Sequence, residues 1–326
     1  MRPIMLKGHD GPISKIKFNR EGDLLFSAAR KDKKPCVWFT DNGERLGNYI
    51  GHEGAVWDLD VDFTSTRLLT ASADRTAKLW DVRTGEELFS FDHASSVRSV
   101  GWAEGCRMIL TVQEDNFGEP AAIFIYNMAD DVKEQETEAV REMSGDTGRI
   151  NAAVWGGLNN FIITGSEDGT VRKWNVETGQ QEQCEQAHLK SIRSLQFSKD
   201  RTMFITASTD KSAKIFDTKT LECLKTFKSD RPLNSASMSP IMNHVIVGGG
   251  QDAMNVTVTS SKVGHFETDF FHMVYEDFMG SVKGHFGPIN SLAFNPDGKG
   301  YASGSEDGYV RLHHFDKEYF NKKYEF

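Results

Sequence analysis

The sequence predicts an all-β protein built as a closed ring of seven four-stranded blades, a β-propeller, and three observations carry that reading. A Gly-His pair recurs at 8–9, 51–52 and 284–285, with Asp92-His93 and Ala187-His188 as weaker forms. Turn aspartates recur at Asp74, Asp168, Asp210 and Asp307, and an aromatic stands six residues beyond three of them, at Trp80, Trp174 and Phe216. Between these marks lie short runs that alternate apolar and polar residues or are apolar throughout, the pattern of strands. A repeat of roughly forty residues holding four such strands is one propeller blade, and repetition overrides the two-domain prior that length alone would set.

With the histidine as ruler, unit anchors fall near residues 9, 52, 93, 146, 188, 230 and 285, so 1–326 reads as one domain. Unit two shows its strands most plainly, at 55–59, 67–71, 77–80 and 87–91. Units three and six are the longest, which predicts insertions around 128–147 and 258–282. The stretch from Asp130 to Glu142 is rich in carboxylates and poor in apolar residues, and reads as a solvated loop on blade three. The last unit has only three strands, ending at Val310-Arg311-Leu312-His313, while residues 2–7 form a strand with no sheet of their own. The N-terminal strand therefore completes the last blade and closes the ring, leaving only short protected edges. Residues 315–326 leave that blade as a short aromatic extension that either packs back on the ring or offers a partner contact.

Composition narrows the function. A net charge of −9 argues against a main task of gripping phosphate backbones, which needs clustered Lys and Arg. The four cysteines are far apart, with neither a Cys-x-x-Cys nor a metal spacing, which fits a reduced, cytoplasmic protein. No apolar run reaches membrane-spanning length. There is no phosphate-cradling Walker loop, zinc pattern or dinucleotide fingerprint, so no cofactor and no metal are expected.

The spacing of His, Ser, Asp and Trp resembles the WD40 repeat. In that arrangement the turn aspartate orients the histidine, the histidine reaches a serine, and the serine meets the indole N–H. The resemblance places His52, Ser72, Asp74 and Trp80 in one tetrad, His188, Ser208 and Asp210 in a second, and His285, Ser305 and Asp307 in a third. Such a set staples the loops of a blade. A catalytic triad would need an exposed nucleophile and an oxyanion pocket, with no reason to recur blade after blade, so no catalytic residue is assigned.

Fold alone does not give function. More specific are Leu6-Lys7-Gly8-His9, Gly51-His52-Glu53-Gly54-Ala55-Val56-Trp57 and Val282-Lys283-Gly284-His285-Phe286-Gly287-Pro288-Ile289-Asn290. Equally specific are Gly248-Gly249-Gly250-Gln251-Asp252-Ala253 and the run from Tyr301 to Asp316. Together these look like the i-subunit family of eukaryotic translation initiation factor three, over essentially the whole chain. The resemblance implies a non-enzymatic scaffold that holds a C-terminal helix of the b subunit against blades five and six and also meets the g subunit. It implies indirect association with the small ribosomal subunit, no sequence-specific nucleic acid and no membrane. Asp200 and Asp217 match the family's acidic contacts to the b subunit. Blade geometry puts both on one face, since the loop after a first strand and the loop after a third strand emerge together. A WD40 adaptor in a signalling complex is the alternative.

Overall fold

Alternation along each short strand turns every unit into a blade: one set of side chains faces the blade before, the other the blade after. The computed structural model describes residues 3–116, 120–145, 148–250 and 266–321. Strand β1 (Ile4–Lys7) comes first. Blade one holds β2 (Ile13–Phe18), β3 (Leu24–Ala29), β4 (Cys36–Phe39) and β5 (Arg45–Asn48). Blade two holds β6 (Val56–Val61), β7 (Arg67–Ser72), β8 (Thr76–Asp81) and β9 (Glu87–Asp92). Blade three holds β10 (Val97–Trp102), β11 (Met108–Gln113), β12 (Ala122–Asn127) and β13 (Arg141–Ser144). Blade four holds β14 (Ile150–Trp155), β15 (Phe161–Ser166), β16 (Thr170–Asn175) and β17 (Gln181–Gln186). Blade five holds β18 (Ile192–Phe197), β19 (Met203–Ser208), β20 (Ser212–Asp217) and β21 (Cys223–Lys228). Blade six holds β22 (Leu233–Met238), β23 (His244–Gly249), β24 (Thr268–His272) and β25 (Phe278–Val282). Blade seven holds β26 (Ile289–Phe294), β27 (Gly300–Ser305) and β28 (Tyr309–His314), and α1 (Lys317–Asn321) follows.

The seven sheets are all antiparallel, and β1 pairs with β28, Ile4 opposite Leu312 and Lys7 opposite Tyr309. The chain's own N-terminus thus supplies the fourth strand of blade seven. The core is divided in the same way. Each buried apolar cluster among the described residues spans one junction, for example Phe26, Tyr49, Leu59 and Trp80 between blades one and two. The junction that closes the ring packs Leu6 and Val310 on Ile13 and Trp38. Burying one such side chain contributes about 1.5–3 kcal/mol, so every junction matters to the whole ring.

A bulge near the start of each first strand shifts the register by one residue, as between Val56 and Asp58 or Ile289 and Ser291. The residue skipped turns out of the ladder, and in four blades it ties to the next blade. Ser14 donates to Val56 O, Asn151 to Ile192 O, Asn234 to Ile289 O, and Asn290 to Ile13 O. Two further ties lie lower in the same strands: Lys15 faces Asp58 at 3.0 Å, and Asp58 accepts from Ser99 Oγ at 2.7 Å.

The two expected insertions fare differently. On blade three, residues 128–140 link β12 to β13 through a short 3-10 turn at Val132–Glu134, capped by Asp131, and residues 141–144 are strand β13 itself. On blade six, residues 268–282 are not insertion but β24 and β25. The extra length falls between β23 and β24, and residues 251–265 lie outside the described residues. The sequence misplaced it because blade six lacks the His and Trp marks that locate strands elsewhere.

The C-terminal extension packs back, as far as it is described. Phe315 and Tyr319 stack at 3.9 Å and lie against Phe270 and Tyr301 of blades six and seven. Tyr319 also hydrogen-bonds His244. Residues 322–326 lie outside the described residues. All four cysteines are free thiols, and among the described residues no helix is long and apolar enough to cross a membrane.

Candidate partner-docking site

The repeated polar set was the first place to look for chemistry. His52 Nδ1 meets Asp74 Oδ2 at 2.7 Å, as expected, but its Nε2 meets Thr70 Oγ1 at 2.7 Å and not Ser72. The Trp80 indole N–H donates to the same Thr70 oxygen at 2.8 Å. Register gives the reason. Trp80 lies opposite Leu68, so its indole reaches one diagonal step to Thr70, while Ser72 is two residues further along the strand. Ser72 Oγ instead accepts the Asp74 N–H and shapes the turn. Blade five repeats this correction: His188 meets Asp210 at 2.9 Å and Thr206 at 2.8 Å, and Ser208 accepts the Asp210 N–H. In blade seven His285 meets Asp307 at 3.0 Å and Ser303 at 2.8 Å, and Ser305 accepts the Asp307 N–H. A signal for the true hydroxyls was present: Ser27, Thr70, Thr111, Thr206 and Ser303 each follow a histidine by 18 residues.

Blade one carries a complete tetrad of its own, His9 with Asp32 (2.6 Å) and Ser27 (2.7 Å), and Trp38 to Ser27 (2.8 Å). Blade four has no histidine at its anchor, and Arg172 takes its place, reaching Asp168 at 2.8 Å and Ser166 at 3.0 Å. Blade six uses Arg231 with Asp269 at 2.7 Å. The electrostatics follow the neighbours. Burial opposes charging His9, yet its hydrogen bonds to Asp32 and Cys36 outweigh burial and raise its pKa to about 9. Burial instead wins at His188 and His285, where Lys214 and Arg311 add positive charge, and both are pushed below the ordinary histidine value. The side chains of His52 and His188 are 0% exposed, and that of His285 is 3%. A substrate has no approach to these imidazoles. They are staples.

Asp200 and Asp217 are placed quite differently. Asp200 lies in the loop between β18 and β19, and Asp217 ends β20, opposite Met203. Their two turns are bound together, Thr218 N donating to Thr202 O and Thr218 Oγ1 to Arg201 O, both at 3.0 Å. Both carboxylates therefore stand on one end of blade five, away from the staples. Asp200 accepts from Ser198 Oγ and from the Thr202 hydroxyl and N–H. Asp217 accepts from the N–H groups of Thr220 and Lys219. The Ser198 bond at Asp200 and the Thr220 N–H at Asp217 lower both carboxyl pKa values, so both are anionic at neutral pH.

The same end of blades five and six carries an apolar surface the sequence did not reveal. Leu224 on β21 and Val274, Tyr275 and Phe278 around the β24–β25 turn are exposed. Lys225 joins the two blades here, donating to Val274 O at 2.7 Å and facing Glu276 at 3.3 Å. The end of the ring at blades five and six thus offers two fixed carboxylates and, on the same end, exposed aliphatic and aromatic side chains. An amphipathic helix with basic and apolar positions has the matching chemistry.

The family model described as EIF3I matches residues 1–325 of this chain. The chain is 48% identical over 326 residues to eukaryotic translation initiation factor 3 subunit I of Nematostella vectensis, covering all of both chains. It is 47% identical over 325 residues to the protein of the same name from Taeniopygia guttata, again covering all of both. Against the Drosophila melanogaster protein of that name the identity is 48% over 327 residues, with both chains fully covered.

Proposed function

The chain belongs to the family of eukaryotic translation initiation factor 3 subunit I, and on that premise we propose that it is a non-enzymatic scaffold which docks a C-terminal helix of the b subunit. It acts in translation initiation. The helix lies across blades five and six, basic residues toward Asp200 and Asp217 and apolar residues toward Leu224, Val274, Tyr275 and Phe278. The observation that carries this reading is the pairing of two turn-fixed carboxylates with that exposed apolar surface on one end of the ring. Contact with the g subunit follows from the family resemblance, as does association with the small ribosomal subunit through the assembled factor.

The experiment replaces both carboxylates by amides. Asp200→Asn with Asp217→Asn keeps the Oδ1 acceptor for the turn N–H groups and removes only the charge, so the fold is retained. Charge reversal would also remove the turn bonds and blur the result. The double variant is expected to lose co-purification with the b subunit while its unfolding free energy stays within about 1 kcal/mol of the parent. Undiminished recovery of the b subunit would remove these residues from the interface.

A further inference from the structure

Blade three departs from the staple pattern in a way that leaves a cavity. Its histidine, His93, meets Thr111 at 3.2 Å, as the other anchor histidines meet their hydroxyls. In intact blades the turn aspartate takes both the histidine Nδ1 and the next backbone N–H, as Asp74 does for His52 and Glu53. Here Gln113 Oε1 takes the Ala94 N–H instead, and among the described residues no carboxylate hydrogen-bonds the imidazole. Tyr126 stands where blades one, two and four place Trp, opposite Ile109. A cavity of about 540 Å³ opens beside these groups, lined by His93, Gln113, Phe124, Tyr126, Asp92 and Glu142.

Three rings form its aromatic wall: His93 lies 5.2 Å from Phe124 and 6.1 Å from Tyr126 between centroids. Asp92 and Glu142 are exposed, and among the described residues neither is in an ion pair. Burial pushes His93 down to about 4, only partly offset by Asp92, so the imidazole is neutral and, among the described residues, the two carboxylates are the charges lining the cavity. Negative charge beside aromatic faces selects a cation. Among the described residues no three His, Cys, Asp or Glu side chains converge closely enough to hold a metal ion, which favours a larger organic cation. The volume falls in the range of sites that enclose an organic group. Glu142 sits on β13, the outermost strand of blade three, whose far edge pairs with no strand among the described residues. An extended segment lying along that edge can drop one side chain into the cavity.

We propose that this cavity receives the lysine or arginine side chain of a partner polypeptide, at a site separate from the docking end of blades five and six. The test uses the full chain and a short peptide, acetyl-Val-Arg-Val-amide, followed through the His93 ring protons by NMR. The peptide is expected to shift those resonances saturably, whereas the citrulline counterpart, isosteric and neutral, leaves them in place. Asp92→Asn with Glu142→Gln should weaken binding by at least about fivefold, as expected for two exposed charge pairs. The thermal midpoint of that variant, unchanged, confirms that it is folded. Equal shifts from the citrulline peptide, or wild-type affinity in the double variant, would overturn the assignment. So would ethylguanidinium binding as tightly as the peptide, since the strand edge would then contribute nothing.

Discussion

Replacing Thr70 with valine tests the staple directly, because valine keeps the shape of threonine and removes only the hydroxyl. That hydroxyl serves two buried partners at once, His52 Nε2 at 2.7 Å and the Trp80 indole N–H at 2.8 Å. Thr70 and Trp80 are fully buried and His52 nearly so, so water does not replace the lost oxygen. An unpaired buried polar group costs about 1–3 kcal/mol, and two are created, so the expected loss is about 2–6 kcal/mol. Ser72→Ala is the matched control. It removes only the acceptor of the Asp74 N–H at 3.2 Å and should cost about 1 kcal/mol. Urea unfolding followed by tryptophan fluorescence reads both variants on one scale. A double-mutant cycle adds the second check: Trp80→Phe, the residue blade five carries at Phe216, should cost less once Thr70 is already valine. If Ser72→Ala destabilises as much as Thr70→Val, or the cycle is additive, the hydroxyl of Thr70 does not join the two rings and the register argument fails.

Two further outcomes follow from the same geometry. Because His9 is raised from 6.5 to about 9, its stabilising contribution is fully present below pH 6.5 and is lost as pH rises through about 9. The unfolding free energy of the wild type from urea titrations should therefore fall by on the order of 2 kcal/mol between pH 7 and pH 9.5, while His9→Gln shows a flat profile over that window. Truncation after Asp316 removes Tyr319 from its stack on Phe315 and its bond to His244. It should cost about 2–3 kcal/mol in thermal unfolding, and a truncated chain as stable as the parent would assign α1 to partner contact instead.

Which parts of this molecule could be read in the sequence depends on what each part is made of. The ring, its seven blades and its closure by Ile4–Lys7 were legible because they repeat: each histidine and turn aspartate marks the same step of the chain. The linking hydroxyl was not. Ser72 and Thr70 lie two apart on one strand and therefore face the same side, so strand alternation does not choose between them, and only the 18-residue spacing from the histidine, kept in all five blades that have one, marks Thr70. The physical reason, Trp80 lying opposite Leu68, depends on turn length and appears only in the folded sheet. The docking end divides along the same line. Asp200 and Asp217 could be put on one face by topology alone, since the loops that carry them leave the blade at the same end. Their apolar neighbours Val274, Tyr275 and Phe278 could not, because blade six has neither the histidine nor the tryptophan that counts residues elsewhere, and its ion pair of Arg231 with Asp269 leaves no repeat to find. Where the staple is intact, the side chains that form it are consumed by holding the blade. Where it has been lost, in blade three, the surroundings of the anchor histidine are released for other chemistry and the proposed cation cavity opens there, whereas the docking end of blades five and six lies away from the staples and is built from turn residues.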